Sequence, residues 1–124
     1  MTTPEVEIVM PYGVTLEGDG ARDAKIVGSH PQAAGDVYLN IPSGPCRIGF
    51  SWEGPEEMRC YVANRGPGML RFVGSLPAKS GGGVRSRVVT VGAVEGDMVK
   101  LYSPTGTTAG ARGTLEVFPL VSQF

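Results

Sequence analysis

The longest stretch of this chain free of both glycine and proline is ten residues, 56–65. A mean α-helix runs ~11–12 residues and tolerates neither residue well in its interior. That spacing excludes helix bundles, coiled coils and α/β folds with full crossover helices. Short strands joined by turns remain. The 19 glycines and 10 prolines fall mainly between alternating apolar segments: Gly18 and Gly20, 42–45, Gly54 and Pro55, 66–68, 81–83, Gly106 and Gly110. With 41% hydrophobic residues, this is punctuation within a folded core rather than low complexity. The 124 residues suit one domain, 1–124, burying roughly two-thirds of its unfolded surface.

Between the turns the pattern has period two, as strands require. Residues 5–10 put Val6, Ile8 and Met10 on one face; 14–17 and 23–27 are short strands, and 28–35, with His30-Pro31, is loop. Residues 36–41 turn Val37, Leu39 and Ile41 inward, with Tyr38 and Asn40 outward. Residues 46–52 turn Cys46, Ile48, Phe50 and Trp52 inward. Glu53-Gly54-Pro55 reads as a hairpin loop. Pairing Trp52 with Glu56 then sets Phe50 opposite Met58, Ile48 opposite Cys60 and Cys46 opposite Val62, so both inward sets match. Helix start and stop signals also bracket 56–65, but that register decides for a strand. It also sets the two cysteines diagonally, so free thiols are expected rather than a disulfide. Strands at 69–73 (Leu70 and Phe72 on one side), 84–91, 97–103 and 114–121 follow. The expectation is an all-β antiparallel sandwich, jelly-roll-like, of about 8–10 short strands.

Net charge is −1, without the basic excess of a nucleic-acid binder. The signs are segregated along the chain: 1–57 is acid-rich and 58–112 base-rich. Interleaved strands mix such charges on one surface; alternatively, acidic and basic faces meet between neighbouring copies. No apolar run approaches the ~18 residues of a membrane span. The start, Met1-Thr2-Thr3-Pro4-Glu5, lacks the basic and apolar regions of a secretory leader. Synthesis in a cytoplasm without export, and no membrane partner, are expected.

Residue chemistry offers little to catalysis. His30 is the sole histidine and lies in a Gly/Pro loop, where a solvated role is expected. The acids of 17–23 lack the spacing of a calcium loop, and Arg22 interrupts them. Glu53, Glu56 and Glu57 are paired carboxylates at a hairpin tip, where no cleft is implied. The Ser80–Gly83 run lacks the Lys-Ser/Thr ending of a phosphate loop. No catalytic residue, metal or cofactor is expected. Two binding patterns remain. Phe50, Trp52 and Phe72 fall on core phases while Tyr38 and Tyr61 point out. Tyr38, Tyr61 and, if exposed, Trp52 are therefore the candidates for stacking on a glycan. Arg65, Arg71, Arg85 and Arg87 read as a solvated strand face or as an assembly interface.

Residues 36–52, Asp-Val-Tyr-Leu-Asn-Ile-Pro-Ser-Gly-Pro-Cys-Arg-Ile-Gly-Phe-Ser-Trp, resemble the strand, Pro-x-Gly, strand unit of jelly-roll sandwiches. Glu95-Gly96-Asp97 between apolar runs resembles a turn of the same folds. A short Gly/Pro-rich β chain of this kind is similar to minor tail or capsid-decoration proteins of tailed phages, particularly those of actinobacterial hosts. That resemblance implies a non-enzymatic structural subunit located in the virion and made in the host cytoplasm. Its partners would be copies of itself and other virion proteins. The alternative is a carbohydrate-binding module recognising cell-surface glycan.

Overall fold

A computed structural model describes residues 9–64 and 68–120. Among them lie ten strands: β1 (Tyr12–Glu17), β2 (Lys25–Ile26), β3 (Ala33–Ala34), β4 (Tyr38–Asn40), β5 (Gly44–Trp52), β6 (Met58–Asn64), β7 (Leu70–Leu76), β8 (Arg85–Ala93), β9 (Asp97–Tyr102) and β10 (Arg112–Pro119). They form two antiparallel five-stranded sheets. The first has the order β2-β1-β10-β5-β8 and the second β3-β4-β9-β6-β7. From β4 onward every connection except the β6–β7 hairpin crosses between the sheets, which winds the chain into a jelly roll.

The core lies between the sheets and follows the alternation. Cys46, Ile48, Phe50 and Trp52 of β5 are buried, as are Leu115 and Val117 of β10. Met58, Cys60 and Val62 of β6 and Val99 and Leu101 of β9 face them from the second sheet. Burying side chains of this kind stabilises by about 1.5–3 kcal/mol each. Both cysteines are free and buried.

The expected β5–β6 hairpin is not formed. β5 pairs with β8 and β10, whereas β6 pairs with β7 and β9. Residues 53–57 carry the chain across the roughly 10 Å gap between the sheets. The two inward sets match because they face one core from opposite walls, which two-fold periodicity alone cannot distinguish from pairing.

Phe72 is also misplaced by simple alternation. Cys60 pairs with Gly74 but Tyr61 pairs with Phe72, so β7 carries one extra residue there. This bulge reverses the phase. Gly74 and Leu76 face the core, and Phe72 emerges 55% exposed on the outer side. Three smaller differences occur nearer the start. The 28–35 loop contributes the short β3, and 23–27 keeps only β2 plus an isolated bridge from Asp23 to Tyr102. Of the expected strand at 5–10, residues 5–8 lie outside the described residues, and Val9 and Met10 are not in a strand.

Candidate functional site: the outer face of the second sheet

Register determines what the outer face of the second sheet displays. Inward Leu39, Val99, Val62 and Cys60 leave their neighbours pointing out. Tyr38 of β4, Lys100 of β9, Tyr61 of β6 and Phe72 of β7 therefore form one row across four strands. Beside it, Tyr102 of β9 stands opposite Arg59 of β6. The Tyr61 ring meets Phe72 and Tyr102 edge to face, with centroids 5.9 Å apart in both cases. Such T-shaped pairs are the favoured geometry between ring quadrupoles.

Lys100 sits amid this row and is only 8% exposed. Its Nζ lies 5.3 Å from the Tyr38 ring centroid and 5.5 Å from that of Tyr102. Asp23 Oδ1 lies 3.0 Å from it, an ion pair. Burial pulls the ammonium pKa down, but Asp23 and Tyr38 outweigh it and hold the group above the ordinary lysine value. Arg59 Nε donates to Glu57 Oε1 at 2.6 Å. Arg59, Tyr61, Leu70, Lys100, Tyr102 and Pro104 line a hollow of about 310 Å³. The face is thus aromatic, and its cations carry their own acid partners.

The structure sorts the candidate residues unequally. Tyr38 and Tyr61 share the row, with Lys100 between them. Trp52 does not join them: it is fully buried, and its indole Nε1 donates to Glu56 Oε1 at 2.8 Å. No sugar can stack on it, because its strand phase turns it into the core. Arg65 lies outside the described residues. Arg71, Arg85 and Arg87 line the open side of the sandwich between β7 and β8, and reach main-chain carbonyls. Arg71 donates to Gly92 O, Arg87 to Ser75 O, and Arg85 to Pro77 O at 2.6 Å and also to Gly54 O.

Other acid and histidine candidates have structural partners. Asp19 pairs with Lys25, Glu17 with Arg112 and Asp23 with Lys100. The last two join the acid-rich part of the chain to the base-rich part within one molecule. Glu53 accepts the Arg112 amide, and Glu56 accepts from Trp52 and Thr108. His30 is half-buried rather than freely solvated: it stacks on Tyr12 at 5.6 Å and accepts the Gln32 amide at Nδ1. Sequence reasoning missed Lys100, Tyr102 and Phe72. Alternation around Val99 and Leu101 carried a signal for the first two; the bulge concealed the third.

No protein-family profile matches this chain, and no curated protein matches it in sequence. Solved structures do match in shape. The globular domain of zebrafish complement 1qA protein superposes with a TM-score of 0.66 at 16% identity, covering 93% of this chain and 100% of that one. The fold is a jelly roll similar to that domain. Murine APRIL (crystals at pH 8.5) follows with a TM-score of 0.55 at 9% identity, covering 88% of this chain and 99% of that one. A point mutant of the family 29 carbohydrate-binding module CBM29-2 matches more loosely: TM-score 0.47, 13% identity, 94% of this chain and 100% of that one. Likeness at these identities extends to the fold.

Proposed function

We propose that this chain is a non-enzymatic structural subunit of a tailed-phage virion, a minor tail or capsid-decoration protein, that packs against copies of itself and other virion proteins. The observation that supports this reading is the outer face of the first sheet. Gly13, Thr15, Gly49, Ser51, Ser86, Val88, Thr90, Thr114 and Phe118 share that face with Arg47 and Glu116, while Glu17, Arg112 and Lys25 lie together at one end of it. Val88 is 61% exposed, and the Phe118 ring lies against bare Gly49. A face built largely of small residues, with its remaining charges gathered mostly at one end, suits close sheet-to-sheet packing. Sedimentation of the purified protein tests this. Oligomers are expected for the native chain, and monomers for Val88→Lys. A protein that stays monomeric at high concentration, and is absent from purified particles by mass spectrometry, would overturn the reading.

A second reading, recognition of cell-surface glycan, is favoured by the aromatic row of the second sheet. It uses the opposite side of the sandwich, so one subunit can assemble through one face and bind through the other.

A further inference from the structure

We infer that the row Tyr38–Lys100–Tyr61–Phe72, with Tyr102 and Arg59 beside it, is a binding site for an extended, uncharged oligosaccharide. The inference rests on the glycan reading and specifies its site and ligand class. The faces of aromatic rings are electron-rich and attract the weakly positive C–H groups of a pyranose ring. Here rings from four adjacent strands occupy one outer surface. Strands are ~4.8 Å apart, so the row from β4 to β7 spans about 14 Å. That length suits a chain of sugars lying across the strands rather than one residue.

Charge determines the class. A site for phosphate, sulfate or uronate would present unneutralised cations. In this row Lys100 is already paired with Asp23 at 3.0 Å, and Arg59 with Glu57 at 2.6 Å. An anionic ligand would meet cations whose charge is already neutralised. A neutral sugar needs only hydrogen-bonding groups: Arg59 retains N–H groups for donation and Glu57 retains a carboxylate oxygen for acceptance beside the rings. The support is rigid: β6 and β9 are inner strands, each paired on both sides, and Tyr61 makes T-shaped contacts with two rings. Such a platform loses little entropy on binding.

The test is calorimetric titration of the native protein with neutral hexasaccharides (gluco, manno and galacto series, and chitohexaose) and with an oligogalacturonate. Expected is binding to at least one neutral series that changes little between low and high salt. Tyr61→Ala and Phe72→Ala should each weaken it roughly tenfold or more. Phe72 is exposed, so Phe72→Ala keeps the test open should Tyr61→Ala fail to fold. Neutral binding that survives both variants overturns the site. Salt-sensitive binding to the galacturonate alone overturns the ligand class but leaves the glycan reading standing. No binding to any of these sugars overturns both.

Discussion

The Trp52 indole donates 2.8 Å to Glu56 Oε1 across the loop that carries the chain from one sheet to the other. The same carboxylate accepts the Thr108 amide at 2.8 Å and the Thr108 hydroxyl at 2.7 Å. One side chain thus ties the β5–β6 crossover to the loop before β10. Glu56→Ala leaves a buried indole N–H without its acceptor, which costs about 1–3 kcal/mol. A lowered denaturation midpoint with an unchanged m-value is expected.

Acid should act on the same group. Burial pushes the Glu56 carboxyl pKa up, but the bonds from Thr108 and Trp52 outweigh it and hold it below the ordinary value. A folded pKa below the unfolded one means that the ionised form stabilises the fold. That contribution is present above the unfolded pKa and disappears as pH falls through the folded one. In melts across the acid range, Glu56→Gln should therefore show a shallower loss of Tm than the native chain. Parallel curves would refute the assignment.

Gly113 is the tightest point of the first sheet. A Cβ there would lie 2.2 Å from the Ser51 carbonyl oxygen and 2.5 Å from Trp52 Cε3. Backbone cannot give way as a flexible side-chain end does, so Gly113→Ala must part β10 from β5 or displace the indole. A loss of about 1–3 kcal/mol is expected by chemical denaturation. Gly92→Ala is the control: nothing lies within 4 Å of its Cβ, and its stability should stay within about 0.5 kcal/mol.

Both thiols should be inert in the native protein. Burial pushes the Cys60 pKa up to about 12 and raises that of Cys46 as well. Thiolate is the reactive species. A thiol-specific chromogenic reagent at mildly alkaline pH should find no fast-reacting cysteine in the folded chain and two after unfolding in denaturant.

Turn chemistry and period-two alternation gave the sandwich, the inward set on β5 and the outward Tyr38 and Tyr61. The β5–β6 hairpin and the placement of Phe72 failed where alternation does not encode the answer. Phase identifies the face of a residue but not which sheet owns the strand, so Trp52 and Glu56 read as a hairpin pair when they bound a crossover. Phase also fails across a bulge, so Phe72 read as core. The aromatic row needed the order β4-β9-β6-β7, which joins strands distant in sequence through long-range pairing.

Arg85 closes the open side of the sandwich, and its variants should distinguish closure from assembly. Its guanidinium reaches the carbonyls of Pro77, Gly54, Glu56 and Trp52, which places a charge among main-chain dipoles. Nε is buried and without a partner. A planar fork can serve several acceptors at once, and a lysine ammonium cannot copy that geometry. Arg85→Met abandons these carbonyls at the β5–β6 crossover and the end of β7. Hydrogen bonds from charged donors contribute about 1.5–3 kcal/mol, so a stability loss of that order is expected, with Arg85→Lys recovering only part. Among the described residues Arg87 donates one long bond, 3.4 Å to Ser75 O, from an exposed position. Arg87→Ala should change stability by less than about 0.5 kcal/mol. If Arg87→Ala weakens self-association while Arg85→Met weakens only folding, the two arginines divide closure and assembly between them. If neither changes sedimentation, this edge is structural, and contact between copies rests on the face that carries Val88.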